Sequence, residues 1–427
     1  MRLKRTWVLL AALLSVGLVL AACGGEEATP TPSPQAGQTP TGPRQVKTDF
    51  GVTDTEIKLG HTNVLSGNLA AVYQPVSPAL RAYFEYVNRE KGGVCGRRIN
   101  LIIEDNQYSP TVARQVVTKL IEQDRVVALV GDLGTPAVTG EVDYVNEQKV
   151  PHLYLSTGAS KWGDFQRWPW TTGFIPDYVS EGRILGRYAQ ERFPNAKVGI
   201  LYQNDDFGMD GRNGFKQEFK GQIVAEQSYE STATDISSQM ANLRAAGADL
   251  VYLYSTPNFS AMAFRYMQQN NWRPQVMMSY VNPPVLTATI AGGGNAQAGL
   301  QLVQGTISTN YLLDYIADAD KSEMKEHVRI MQTYGGPQVQ SLSVYGQALA
   351  ELMVETLKRA CDAGDLTRQG VMRAAESIRG FRMSVLLPGI TVNLGPRDHF
   401  AIQALMPVQI QPDGTPRPLR DQPISIE

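Results

Sequence analysis

The chain has 427 residues, 43% of them hydrophobic and 19% charged, and a formal net charge of −2 at pH 7. That balance excludes the strongly basic surface of a nucleic-acid-binding protein, and no DNA- or RNA-binding motif is visible. The length exceeds one ordinary core, so two folded domains are expected of this globular composition.

The N-terminus reads as a targeting segment. Arg2, Lys4 and Arg5 precede Trp7–Ala22, which contains no charge. Small residues, Ala21-Ala22, stand before Cys23. This is the pattern of a secretory signal. The apolar run falls short of the roughly 20 residues that a spanning helix needs. Its end resembles a bacterial lipobox, which implies cleavage before Cys23 and a lipid on that thiol. Residues 1–22 are therefore expected to be a signal peptide. Residues 23–48 are expected to be a tether, since Pro, Thr, Gly and Gln dominate and cannot bury enough surface to order the segment. No later segment is apolar enough to span a membrane, so the body is expected to be soluble and extracytoplasmic, held to the membrane only by its lipid.

From Glu56 the pattern alternates between strand and helix. Ile57–Gly60 reads as a strand. Ser77-Pro78 reads as the start of a helix with Leu80, Tyr83, Phe84 and Val87 on its buried face, ended by Gly92-Gly93. Ile99–Glu104 is the next strand. Ser109-Pro110 opens a helix with Val112, Val116 and Leu120 on one face. The apolar run Val126–Val130 leads into the loop Gly131–Pro136 and then a helix marked by Val138, Val142 and Val145. Leu153–Leu155 follows and stops at Ser156-Thr157-Gly158-Ala159-Ser160. This is a parallel strand–helix–strand unit whose loops lie past the C-terminal strand ends. Open α/β sheets hold ligands there, so Thr135, Ser156 and Thr157 are candidate ligand contacts.

A second half repeats the alternation. Helices are expected over Val179–Phe193, Gly211–Phe219, around Ile236–Leu243 and over Phe259–Gln269. Strands are expected over Lys197–Tyr202, Ile223–Tyr229, Asp249–Tyr254 and Gln275–Tyr280. Two similar doubly wound units imply two lobes with a ligand between their strand ends. Tyr254 and Tyr280 end second-half strands and are candidates to line that cleft; Tyr73 and Thr256 complete the candidate set. Gly292-Gly293-Gly294 reads as a loop.

Enzyme motifs are missing. There is no G-x-S-x-G elbow. Gly134–Gly140 spaces its glycines like part of a phosphate loop, but Glu141 stands where a lysine is needed. The four histidines, His61, His152, His327 and His399, are scattered, so no metal site and no cofactor are expected. With Cys23 assigned to lipid, Cys95 and Cys361 remain. In an oxidising compartment an even pair suggests a disulfide, with two buried free thiols as the alternative.

Several stretches resemble substrate-binding proteins of the leucine/isoleucine/valine-binding type that serve ABC transporters. They are GVTDTEIKLG at Gly51–Gly60, LSG at Leu65–Gly67 and NREKGGVCGRRINLIIEDNQYSP at Asn88–Pro110. VGDLGTPA, VPHLYLSTGAS, LYQNDDFG and the late GPRDHF follow in the same order. The resemblance implies an α/β fold of two doubly wound, Rossmann-like lobes joined by a three-crossing hinge, with the ligand cleft between them. It places crossings at Trp168–Pro176, near Thr306–Asn310 and near Leu386–Gly389. Lobe 1 would then comprise residues 49–175 and 308–386, and lobe 2 residues 176–307 and 387–427. The helix Val344–Cys361 would return to lobe 1, in the same lobe as Cys95. Phe207 resembles the position of a ligand-facing tyrosine.

By the same resemblance the protein is expected to be a monomer that captures a small organic ligand (an amino acid, amide or carboxylate) by hinge closure. It would deliver that ligand to an ABC permease and ATPase complex. An extracytoplasmic sensor of the same fold is the alternative. One departure bears on the ligand. Where the amino-acid-binding members carry an acid in lobe 2, this chain has Tyr280, and no Asp or Glu lies between Asp249 and Asp314. The ligand is therefore expected to be uncharged or carboxylate-bearing, with apolar or aromatic bulk.

Overall fold

The computed structural model of the protein describes residues 46–425. The expected signal segment, Cys23 and almost all of the tether lie outside the described residues. Among the described residues no helix is long and apolar enough to cross a membrane.

Five parallel strands form the first sheet: β1 (Glu56–Asn63), β2 (Arg98–Asp105), β3 (Ala128–Val130), β4 (His152–Leu155) and β5 (Thr171–Gly173), in the order β2-β1-β3-β4-β5. The crossover helices are α1 (Val76–Glu90), α2 (Pro110–Glu122) and α3 (Thr135–Glu147). Two local expectations are corrected. Ser77 does not cap α1, which starts one residue earlier; its hydroxyl meets His61 Nε2 at 3.1 Å and Asn63 Nδ2 at 2.7 Å. Buried polar groups on β1 need a partner more than a solvated helix end does. Ser109 does cap α2, but the buried face is Ala113, Val117, Leu120 and Ile121. The face is turned because α2 packs on α3, against Tyr144 and Val145, as well as on the sheet.

The second sheet has eight strands. These are β6 (Lys197–Gln203), β7 (Gln222–Tyr229), β8 (Leu250–Tyr254), β9 (Gln275–Met278), β10 (Ile307–Asn310), β11 (Ala404–Ile410) and β12 (Pro416–Pro418), ordered β12-β11-β10-β9-β8-β6-β7, with Ile424–Ser425 also on β11. β6 through β10 are parallel, β11 is antiparallel to β10, and β12 is antiparallel to β11. Around this sheet lie α4 (Tyr178–Arg192), α5 (Asp206–Glu218), α6 (Ser237–Ala245), α7 (Pro257–Gln269), α8 (Pro284–Ala291) and α9 (Ala296–Val303). The expected start of α5 at Gly211 is too late; Asp205 caps it by accepting from Gly208 N. The pair α8–α9 has no counterpart in the sequence reading beyond the loop at Gly292–Gly294.

After β10 the chain returns to the first sheet through α10 (Ser322–Thr333), α11 (Ser341–Asp362) and α12 (Arg368–Glu376). The α11 helix buries Ala348, Leu349, Leu352, Met353 and Leu357 and packs on α1. A Cys95–Cys361 disulfide, with Cα atoms 6.0 Å apart, joins the loop after α1 to the last turn of α11.

The passages between sheets sit at other residues than the sequence suggests. Thr171–Gly173 is still a strand of the first sheet, so the first passage is Phe174–Asp177. Ile307–Asn310 is a full strand, β10, and the second passage follows it. Residues 385–387 pair with this second passage: Leu313 N donates to Val385 O and Leu387 N to Tyr311 O. The chain then does not enter the second sheet. Val392 bridges Phe381 and Ile402, and Ala401 N donates to Gly173 O. It reaches β11 only at Ala404, later than Leu386–Gly389.

A buried polar cluster holds the loop after β3 in place. His152 Nε2 lies 3.1 Å from Asp132 Oδ2 and 3.4 Å from Glu141 Oε1, and all three side chains are fully buried. The second Asp132 oxygen accepts from Thr62 N at 2.7 Å. The three residues thus tie β4, α3 and the β3 loop to β1. Burial, then the nearby Asp132 charge, pushes Glu141 up to about 8. For His152 burial works the other way, but the hydrogen bonds to Asp132 and Glu141 prevail and raise it to about 9.

Both shifts have the same consequence for stability. The folded protein keeps each proton to a higher pH than the unfolded chain does. The Glu141 contribution is present at low pH and is lost as pH rises toward 8; the His152 contribution is complete below about 6.5 and is lost as pH rises through 9. The melting temperature is expected to fall between pH 6.5 and pH 9, and Glu141→Gln should flatten that fall. A level or rising melting temperature by differential scanning calorimetry would contradict this account.

Candidate functional site

The C-terminal ends of the two sheets face one another across a cleft. It holds about 610 Å³ of empty space, counted out into the solvent at its mouth. From the first lobe come Gly134, Thr135 and Ser156, all past strand ends. Tyr73, from the short helix Ala70–Tyr73, and Tyr108, from the loop before α2, close one side. From the second lobe come Phe207, Thr256 and Tyr280. The passages supply Ile175 and Tyr311, the start of α4 supplies Tyr178, and the start of α11 supplies Leu342 and Tyr345.

Of the candidates from sequence, Tyr73, Thr135, Ser156, Phe207, Thr256 and Tyr280 meet at this cavity. Thr157 stands one layer behind, with its Oγ1 2.6 Å from Thr135 Oγ1 and accepting from Trp162 Nε1 at 3.3 Å. When Thr157 donates to Thr135, the Thr135 hydrogen is left for a ligand oxygen. Tyr254 does not line the cavity. Its ring lies behind Phe207, with centroids 4.8 Å apart, and its hydroxyl donates to Glu181. A strand-end side chain can point to either face of the sheet, and here it points into the core.

Sequence reasoning missed Tyr108, Tyr178, Tyr311 and Tyr345. Each comes from a loop, passage or helix end where neither periodicity nor strand position applies. Tyr345 is the most consequential, because its hydroxyl donates to Ser156 Oγ at 2.6 Å, while Ser156 Oγ donates to Gly131 O. Gly134 matters for its backbone: its φ is +107°, and a Cβ there would stand 2.7 Å from the Tyr108 ring.

Two helices start at the cavity without a capping side chain. One is α3, preceded by Gly134; the other is α7, preceded by Thr256. At α3 this leaves the backbone N–H of Thr135 and the positive end of the dipole at the space, whereas at α7 Pro257 has no N–H and Thr256 O already accepts from Phe259 N and Ser260 N. Among the described residues no Asp, Glu, Lys or Arg lines it. The acids nearby are engaged elsewhere. Asp205 accepts from Gly208 N and Gln203 Nε2, Asp206 pairs with Lys161 at 2.5 Å, and Asp177 accepts from Ser180 N.

A sequence model described as periplasmic binding protein matches residues 56–415. The chain belongs to the periplasmic binding protein family. That family consists of extracytoplasmic solute-binding proteins, not enzymes. The chain is 23% identical over 237 residues to Leu/Ile/Val-binding protein homolog 7 of Brucella abortus (strain 2308), covering 52% of this chain and 58% of that one. It thus spans a little over half the length of that relative. Among solved structures, it is similar to a branched-chain amino acid ABC transporter protein from Thermus thermophilus with bound valine. That likeness has 17% identity and a TM-score of 0.77, over 88% of this chain and 97% of the other. It is also similar to a fatty acid ABC transporter substrate-binding protein from Thermomonospora curvata, with 23% identity and a TM-score of 0.74, over 90% and 95%. These likenesses show the two-lobed type I fold.

In this binding protein the base of the cavity rests on Glu181, in the first turn of α4 and fully buried. Its Oε2 accepts from Tyr254 hydroxyl at 2.7 Å and Ser279 hydroxyl at 2.6 Å. Its Oε1 accepts from Tyr280 N and Thr309 hydroxyl, both at 2.7 Å. Burial raises this carboxyl to about 7 against the four hydrogen bonds, which favour the anion. Glu181→Ala should destabilise the fold by several kcal/mol, at about 1–3 kcal/mol for each donor left without an acceptor. Glu181→Gln should cost less than half as much. Its oxygen can serve Tyr280 N and Thr309, while the two hydroxyls opposite its amide rotate to accept. Urea unfolding of both variants checks this, and equal losses would refute it.

Proposed function

We propose that this protein is a lipid-anchored, monomeric solute-binding protein. It captures an organic molecule with apolar or aromatic bulk, uncharged or bearing a carboxylate, by closing its lobes, and delivers it to an ABC importer. The observation that carries this reading is the cavity wall: six tyrosines and Phe207, hydroxyls of Thr135 and Ser156, two uncapped helix starts, and no charged side chain. The Thr135 hydroxyl and backbone N–H groups suit a carboxylate, Ser156 having given its proton to Gly131 O, and aromatic rings suit the remainder. An ammonium has no ionic partner in that wall, and burying it unpaired costs several kcal/mol. We assign residues 49–175 and 311–402 to lobe 1 and residues 176–310 and 403–425 to lobe 2, following the backbone pairing at the passages. Contacts between the lobes support a closed arrangement: Lys161 with Asp206, Ser160 N with Asp210, and Asn258 with the Asn68 carbonyl.

Calorimetric titration with leucine, isoleucine and valine, beside their 2-keto acids and phenyl-substituted carboxylic acids, tests the ligand class. Aromatic or keto acids are expected to bind at least tenfold tighter than the amino acids. Thr135→Val, which removes a wall hydroxyl with a proton to give, should weaken that binding by about 1–3 kcal/mol. Tighter binding of any of the three amino acids overturns the reading. Separately, mass spectrometry of the mature protein from its native membrane should find lipid on Cys23, and Cys23→Ser should release the protein from the membrane. An unmodified N-terminal residue other than Cys23 would remove the anchor from the proposal.

A further inference from the structure

A second space of about 620 Å³ lies on the far side of the cavity, among β10, β11 and the starts of α8 and α11. It is not separated from the first by a lobe wall. Tyr280, Pro283, Tyr311, Leu342 and Tyr345 line both spaces. The partition is thus largely aromatic, with Tyr280 and Tyr311 edge to face at 5.4 Å between centroids. The Tyr280 hydroxyl is tied to Pro176 O at 2.5 Å, so the partition hangs on the first passage between lobes.

We propose that the two spaces form one continuous site for an elongated monocarboxylic acid that carries a hydrogen-bond donor at its far end. This rests on the reading above, which seats the carboxylate at Thr135 and the start of α3. Beyond the partition the wall is mixed, with Leu313, Val408 and Ile410 beside Ser308, Asn310 and Ser341. Asn282 also lines it. Its side chain is 1% exposed, and its Nδ2 donates to Ser255 O at 2.9 Å and Ser279 O at 3.1 Å. Those two bonds fix which way the amide faces. Its Oδ1 has no partner among the described residues. That oxygen is itself closed off from the chamber; the Ser308 and Ser341 hydroxyls, which line it, offer acceptors to a ligand hydroxyl or amide N–H. A second carboxylate is disfavoured there, because Asp314 also lines this chamber. Its Oδ1 is already held by Ile316 N and Ala317 N.

The test is calorimetric titration of ω-hydroxy straight-chain monocarboxylic acids, from butyric to dodecanoic, into the wild-type protein and Ser341→Phe. Ser341 lines only the second chamber. In the wild type, affinity should rise tenfold or more along the series, and replacing the distal hydroxyl of a long acid by methyl should lower it. Ser341→Phe should bind the short acids as the wild type does and lose the gain with length. If the melting temperature shows that Ser341→Phe is unfolded, Ser341→Leu replaces it with the same expectation. Short acids that bind with no dependence on length, or a variant that keeps the full gain, would overturn the second chamber while leaving the proposed function standing. Failure of every acid to bind the wild type would overturn both.

Discussion

Glu181 is a buried carboxylate with no cation beside it, and much of the second lobe is arranged around that fact. Taking such a group out of water costs several kcal/mol unless its lone pairs are filled. Here Tyr254 of β8, Ser279 and Tyr280 after β9, and Thr309 of β10 fill them. The position in the first turn of α4 adds the favourable end of the helix dipole. One side chain thereby fixes the order of three strand ends and the start of the helix that follows the first passage. The same hydrogen bonds orient the aromatic wall. Tyr254 is held behind Phe207, and Tyr280 is held by its own N–H at the edge of the cavity.

The first lobe meets its side of the cleft by a different device. Tyr154 sits in β4 with φ +63°, a left-handed conformation that a bulky side chain adopts at a cost of about 1–3 kcal/mol. The pairing of β4 with β5 shifts register over the same residues. A bulge of this kind re-aims the residues that follow it. Ser156 then returns to the sheet through Asp132 O and faces the Tyr345 hydroxyl. Burial of Tyr154, with its hydroxyl against Thr356 of α11, and the charged cluster at Asp132, Glu141 and His152 hold the distortion. Rigid packing on one side of the cleft and a hydrogen-bonded carboxylate on the other leave the passages as the places where the lobes can move.

The alternation of strands and helices was legible because parallel sheets need apolar strands and amphipathic crossovers, and both patterns are local. What was not legible depended on the company an element keeps. The face of α2 turned toward Ala113 and Val117 because a neighbouring helix shares its surface. Ser77 left the cap position because His61 and Asn63, buried in β1, needed it. The last passage moved to Ala404 because residues 390–402 found pairing at Gly173, more than two hundred positions away in sequence. The same division holds at the site. Thr135 and Ser156 follow from strand ends, whereas Tyr178, Tyr311 and Tyr345 arrive from segments with no periodic signal.

The acid missing from the stretch between Asp249 and Asp314 shows how the two readings fit together. The sequence places Tyr280 where an acid was expected, and the structure places an acid, Glu181, directly behind it on another element. A carboxylate at that depth, already accepting four hydrogen bonds, is held up to about 7 by its burial. Drawing it toward a ligand ammonium would mean breaking bonds that order β8, β9 and β10. The cavity therefore meets its ligand with neutral donors and rings. In the proposed site the Thr135 hydroxyl and the start of α3 favour negative charge at the lobe 1 end and leave the tyrosines to set shape. Under the proposed reading, selectivity comes from the fit of an apolar body against aromatic walls, with the carboxylate fixing which end enters first.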